Sequence, residues 1–260
     1  MTRIFRLALL AGTALLGAAT AEAATLVALT ADNQLVRLDS ETRRAAAPVR
    51  VTGTDGRLVG IDQRPANGML YGLTERGQIV TIDPASGRAT QVARLSETFE
   101  SGGRAVVDFN PAADRLRVMG VSGTSLRVNV ETGQAIRDGS LKYANADLAG
   151  ATPRITAGAY TNSVAGTTAT MLLTLDTLLG NLNVQNPPND GVQAPRARVS
   201  QGLPAGMAFD ILADGQGGNT GFLLAGGALH RLNLESGEVT TLGPVAGLGG
   251  VELLDVAAMR

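Results

Sequence analysis

Four aspartates close or interrupt short apolar runs, and they are the residues of this chain best suited to chemistry. Asp62 follows Leu58-Val59-Gly60-Ile61, Asp108 follows Ala105-Val106-Val107, Asp210 follows Gly206-Met207-Ala208-Phe209, and Asp255 follows Val251-Glu252-Leu253-Leu254. Carboxylates gathered in such numbers offer oxygen ligands to a hard cation such as Ca²⁺. In pairs they can serve a glycosidase or a metal-assisted lactonase, and Asn110 and Asn162, near related runs, can add neutral oxygens. An aspartate in such a place also has a plain structural use: its carboxylate accepts backbone N–H bonds and caps the turn it enters. Both readings stay open on the sequence. A second candidate is Pro187-Pro188-Asn189-Asp190-Gly191, too stiff and polar for a strand. There Asn189 and Asp190, with Tyr160 and Asn162 of an earlier segment, mark a ligand-binding edge, or else a tight connection between repeats. Arg115, Arg117 and Arg127 fall at matching positions on neighbouring runs. They form either an anion-binding stripe or the partners of nearby carboxylates.

Other chemistries are excluded by what is missing. The chain has no cysteine and one histidine, His230. Thiol nucleophiles and Cys-based zinc sites are therefore ruled out, and a triad or multi-His metal centre would rest on one imidazole. There is no G-x-S-x-G elbow and no P-loop, and Gly215-Gln216-Gly217-Gly218-Asn219-Thr220-Gly221 misses the dinucleotide fingerprint and opens no helix. Net charge is −1 with 17% charged residues, so the positive field that draws nucleic acid is absent. Aromatic residues make up 3% and tryptophan is missing, which leaves few stacking platforms. No catalytic residue can be named. The balance favours an exported, monomeric binding or scaffold module for a protein or small-molecule ligand. A hydrolase using the aspartates and a structural cell-surface component are the alternatives.

The export reading comes from the first 23 residues. Arg3 and Arg6 precede an apolar run from Leu7 to Ala19, and Ala21-Glu22-Ala23 fits the small-x-small cleavage pattern. The run is shorter than the roughly 20 residues of a membrane span. A mature chain beginning near Ala24 is expected in the periplasm or outside the cell.

The elements that must hold the candidate residues come as a repeat. A turn of Asp or Asn, two residues, Ser or Thr, and Gly recurs as Asp83-Pro84-Ala85-Ser86-Gly87, Asn129-Val130-Glu131-Thr132-Gly133 and Asn233-Leu234-Glu235-Ser236-Gly237. Asp39-Ser40-Glu41-Thr42-Arg43 is a degenerate copy, and Asn183 marks the place of a fifth. Out of phase with the turns run the apolar segments that carry the aspartates. Between them lie short runs rich in Val, Ile, Leu and Thr. Four such strands every ~45 residues is the period of a propeller blade. The chain opens with Thr25-Leu26-Val27-Ala28-Leu29-Thr30, which matches a second strand, and ends with a first strand, so the two ends complete one blade. The expected fold is all-β, a propeller of five four-stranded blades spanning residues 24–260 as a single domain, with four or six blades if Asn183 to Ser200 is not a normal blade edge, and a β-solenoid or irregular sandwich as the competing architecture.

Several blocks carry a family resemblance. They are Gly60-Ile61-Asp62-Gln63-Arg64-Pro65-Ala66-Asn67-Gly68-Met69-Leu70-Tyr71-Gly72-Leu73, Val107-Asp108-Phe109-Asn110-Pro111-Ala112-Ala113-Asp114-Arg115-Leu116-Arg117-Val118, Leu126-Arg127-Val128-Asn129 with Thr132-Gly133, Ala159-Tyr160-Thr161-Asn162, and Pro187-Pro188-Asn189-Asp190-Gly191. In content and order they resemble the bacterial family named domain of unknown function 4394, over nearly the whole mature chain. The resemblance implies an exported, propeller-like protein and carries no activity and no catalytic residue with it.

Overall fold

Runs of four to seven β-branched and aliphatic residues, broken by Gly, Asn and Asp, are too short for stable helices and pair with their sequence neighbours instead. The computed structural model, which describes residues 23–201, 204 and 206–260, holds twenty-one strands among those residues. The leader, residues 1–22, lies outside the described residues. The strands are β1 (Thr25–Thr30), β2 (Gln34–Asp39), β3 (Val49–Arg50), β4 (Leu58–Gln63), β5 (Leu70–Thr74), β6 (Gln78–Ile82), β7 (Ala89–Arg94), β8 (Ala105–Asn110), β9 (Arg115–Gly120), β10 (Ser125–Val128) and β11 (Ala135–Arg137). They continue with β12 (Lys142–Tyr143), β13 (Ile155–Tyr160), β14 (Leu172–Asp176), β15 (Asn181–Gln185), β16 (Val192–Arg198), β17 (Ala208–Ala213), β18 (Asn219–Ala225), β19 (Ala228–Leu232), β20 (Val239–Pro244) and β21 (Leu253–Met259).

They form five sheets. The first blade is β21-β1-β2-β3, the second β4-β5-β6-β7, the third β8-β9-β10-β11, the fourth β13-β14-β15-β16 with β12 added at its outer edge, and the fifth β17-β18-β19-β20. Pairing within each four-stranded meander is antiparallel, and only β12 joins parallel. The strands β21, β4, β8, β13 and β17 pack side by side in a ring. The molecule is a five-bladed β-propeller, and β1 against β21 closes it with Thr25 opposite Met259.

Burial follows the distance from the axis. All six residues of β13 are buried, whereas β7 at the rim buries only Ala89. Inner strands therefore read as unbroken apolar runs, because each faces a neighbouring blade on both sides. The core is a set of wedges between blades. One joins the first and fifth blades through Leu26, Val36, Phe222 and Leu224. Another joins the second and third through Tyr71, Leu73, Phe109 and Val118, with Tyr71 and Phe109 edge-to-face at 5.3 Å between ring centroids.

The recurring turn seals the outer part of these wedges. Its Asx side chain accepts N–H bonds from the residues two and three ahead, as Asn129 does from Glu131 and Thr132. Its glycine is then pressed onto the preceding blade. Gly133 has φ 77°, and a Cβ there would overlap the carbonyl oxygen of Arg94 on β7. Its own carbonyl accepts the N–H of Ser96 at 2.9 Å. Gly87 and Gly237 repeat the contact against Arg50 and Arg198. The fifth copy is not at Asn183. That residue lies inside β15, buried, with both side-chain polar atoms unpartnered. The turn is instead Asn186 to Gly191, with a short 3₁₀ helix at Pro188–Asp190, and Gly191 takes the glycine's place against Gly139 and Ser140. A fixed spacing misassigns this turn because its loop differs in form from the other four.

Candidate functional site

All four aspartates project from inner strands into the channel, and each is at most 9% exposed. Their partners lie across the seams between blades. Asp255 on β21 accepts the N–H of Ile61 on β4 at 3.0 Å. Asp62 on β4 accepts that of Phe109 on β8 at 2.7 Å. Asp108 on β8 accepts that of Tyr160 on β13 at 2.9 Å. Asp210 on β17 accepts that of Ala258 on β21 at 2.6 Å. The second oxygens of Asp62, Asp210 and Asp255 accept the N–H of the following residue, Gln63, Ile211 and Val256. The innermost strands have no ladder partner on their channel side, and the carboxylates satisfy amides that would otherwise be orphaned there. They are inter-blade staples rather than caps of their own turns.

Asp108 differs from the rest: only its Oδ1 accepts a backbone N–H among the described residues. One oxygen each from Asp62, Asp108 and Asp210 lie within 4.8 Å of one another. Burial, and then the like charge of the other carboxylates, hold Asp62 and Asp108 well above the usual carboxylate range. Burial pushes Asp255 up strongly as well. Asp210, relieved by its two backbone donors, is raised to about 7. Carboxyls so close and so dry cannot all ionise unless a positive charge joins them. Three oxygens at this separation suit a hard cation; no histidine or thiol is near to suit a softer one.

The two ends of the channel differ. Where the inner strands begin, Arg104 donates to the carbonyls of Leu253 at 2.9 Å, Leu254 at 3.1 Å and Met207, and its Nε is unpartnered. Burial lowers the pKa of this guanidinium, and the charge of Asp255 opposes the shift. Where the inner strands end, a cavity of about 290 Å³ opens between Asp62, Gln63, Ser163, Asp210, Ala258 and Arg260. Nothing in the sequence marks Arg104; it precedes an apolar strand as other arginines of the chain do.

The seam between the fourth and fifth blades carries no carboxylate staple among the described residues. There the N–H of Asn162, a residue at φ 55°, donates to Asn219 Oδ1 at 2.7 Å, and Asn219 Nδ2 donates to Asn162 Oδ1 at 2.8 Å. A groove of about 660 Å³ lies over this pair, with Thr161, Thr220, Arg196 and Glu238 among its walls. Asn110 stays apart and caps its own turn through Ala112 and Ala113.

The candidate ligand edge is divided. Asn162 faces the groove, while Tyr160 is buried between blades and its hydroxyl accepts from Arg117 Nε at 3.3 Å. Asn189 accepts from the same guanidinium at 3.2 Å, and Asp190 sits in the rim 3₁₀ helix. Arg117, 1% exposed, also bonds Ser125 and Asp138, and Arg127 pairs with Asp138 in turn. These arginines bind internal carboxylate rather than forming an anion stripe, and Arg115 bonds its own turn through the carbonyls of Ala113 and Asp114. His230 contacts Thr241 at 3.0 Å on the fifth blade.

The family model described as Domain of unknown function (DUF4394) matches residues 23–257, and the chain belongs to that family. No curated protein matches it. Among solved structures it is similar to a protein of unknown function from Bacteroides thetaiotaomicron VPI-5482, with TM-score 0.52 and 16% identity over 92% of this chain and 65% of that one. A protein of unknown function from Bacteroides caccae covers 92% of this chain and 100% of its own at 10% identity, with TM-score 0.47. At 16% identity the likeness to the Bacteroides thetaiotaomicron protein is one of fold alone. Among the described residues no helix is long and apolar enough to cross a membrane.

Proposed function

We propose that the protein is exported, loses its leader after Ala23, and works as a rigid binding or scaffold module in the periplasm or outside the cell. The observation that carries this reading is the use made of the buried carboxylates. Seven of their oxygens accept backbone N–H groups, so the residues that a hydrolase would need as acid, base or nucleophile are holding the blades together. What the frame offers a ligand is its surface where the inner strands end, with the cavity over Asp62 and Asp210 and the groove over Asn162 and Asn219.

A second reading has its own support in the spacing of Asp62, Asp108 and Asp210, with oxygens within 4.8 Å. In it the channel holds Ca²⁺, which stabilises the ring or assists a lactonase- or glycosidase-like reaction. Thermal melting of residues 24–260 in Ca²⁺ and in EDTA separates the two. A cation that binds only the folded state raises the midpoint with the logarithm of its excess over Kd. Overlaid curves are expected for staples that need no metal. A rise of several degrees that Asp108→Ala removes would move the calcium reading ahead.

A further inference from the structure

The cavity where the inner strands end combines two kinds of surface. Its floor is carboxylate, from Asp62 on β4 and Asp210 on β17, and Gln63 and Ser163 add an amide and a hydroxyl. Apart from Arg260, every other residue around it is aliphatic, proline or glycine, with Pro65, Val164 and Leu212 among them. Arg260 is held at the rim: its N–H donates to Gln63 Oε1 at 2.9 Å, and its guanidinium donates to the carbonyl of Asp214 at 3.2 Å. Behind the floor stands Asp108, 5% exposed, whose second oxygen meets no N–H donor among the described residues. At the opposite end the channel is crossed by Arg104, whose bonds to the carbonyls of Leu253, Leu254 and Met207 set a positive charge in the path of any cation. The cavity is therefore the end from which a cation can approach the carboxylates.

We infer that this cavity binds a small primary alkylammonium ion, with its NH₃⁺ group on Asp62, Asp108 and Asp210 and its hydrocarbon body against the aliphatic wall. The inference deepens the binding-module reading above and rests on it. A primary ammonium carries three N–H donors on one nitrogen. Charge-assisted bonds of ~2.8 Å at tetrahedral angles set the three acceptor oxygens about 4.6 Å apart. One oxygen each from the three aspartates lie within 4.8 Å of one another, close enough for one nitrogen to reach all three. The oxygens of Asp62 and Asp210 that accept backbone N–H groups each keep a second lone pair for this. A Ca²⁺ ion asks for more, about six to eight oxygens. The side chains around the cavity add only those of Gln63 and Ser163, and Gln63 Oε1 is already engaged by Arg260. Aliphatic walls give a metal ion nothing, whereas they give a hydrocarbon chain a dry place to lie.

The test is thermal melting of the mature chain, residues 24–260, in EDTA with n-butylammonium chloride. 1-Butanol and sodium butyrate serve as the neutral and anionic counterparts. Affinity is read from the rise of the midpoint with concentration. A rise is expected with butylammonium alone. Asp210→Asn should weaken binding about tenfold, the usual worth of a charge-assisted hydrogen bond. Ala165→Leu, on an exposed part of the wall and away from every carboxylate staple, should weaken it by crowding the mouth. If Asp210→Asn does not fold, Ala165→Leu tests the placement by itself. A rise with 1-butanol or butyrate equal to that with butylammonium would overturn the ammonium inference but leave a ligand cavity, and with it the binding-module reading. A rise that neither variant reduces would put the ion elsewhere and overturn the site. No rise with butylammonium would overturn the inference as well, and a rise in Ca²⁺ without EDTA that Asp108→Ala removes would take the binding-module reading down with it.

Discussion

A buried aspartate usually signals either a partner charge or a proton. Here the partners of Asp62, Asp210 and Asp255 are backbone amides, which favour the ionised form, while burial disfavours it more strongly. The consequence for stability has a definite direction. Asp210 is raised to about 7 against 3.8 in the unfolded chain, so between those values the folded protein holds a proton that the unfolded chain has released. Its contribution is complete below pH ~3.8 and is lost as pH climbs through about 7. In EDTA the melting midpoint is therefore expected to decline from pH 5 to pH 8, and Asp210→Asn should make the decline shallower. A midpoint that is flat or rises over that range would show that the channel carboxylates are ionised in the fold and that their charge is met by something else.

At the scale of strands and turns, the repeat is a device for fitting one blade to the next. The inner end of each seam is held by side chains near the axis, and the outer end of four of them by a turn glycine seated on the preceding blade, with Arg43 (φ 52°) in that place between the fifth and first blades. Two glycines of similar backbone conformation separate the causes. Gly133 and Gly166 have φ 77° and 78°, but a Cβ on Gly166 meets nothing within 4 Å, whereas one on Gly133 meets the backbone of Arg94. Gly166→Ala should cost about 1–2 kcal/mol, the strain of a left-handed residue alone. Gly133→Ala should cost a further 1–3 kcal/mol or so, the usual range for overpacking. Chemical denaturation of both variants checks this, and equal losses would mean that the turn is not seated as described. The turns and the strand runs were legible in the sequence because both are local: Asx-x-x-Ser/Thr-Gly specifies a loop through its own hydrogen bonds. The fourth-blade turn escaped because Pro187 and Pro188 build a different loop that presents Gly191 to the same seam.

For the molecule as a whole, closure is the decisive event, since an unclosed ring exposes strand edges and two apolar faces. Thr25 lies opposite Met259, so the two ends of the described chain already meet as the arms of a hairpin. A circular permutant that joins Arg260 to Ala24 through a short turn and opens between Gly102 and Gly103 should fold and melt within a few degrees of the parent. Removal of residues 253–260 should abolish folding, because it takes away an inner strand together with Asp255 and the amide of Ala258 that Asp210 binds. Circular dichroism and size-exclusion chromatography distinguish the outcomes, and a folded truncated chain would refute closure by β21. By itself the sequence determined the all-β class, the repeat and the splicing of the two ends, because hydrophobic period and turn chemistry act over a few residues, while the count of five blades among the neighbouring possibilities was decided by the ring of sheets. It also placed Asp62, Asp108, Asp210 and Asp255 at inner-strand positions. Only the tertiary structure decided what those carboxylates touch. Which amide of the next blade lies opposite each of them depends on the stagger between strands some 50 residues apart, or at opposite ends of the chain, and no local pattern encodes that stagger.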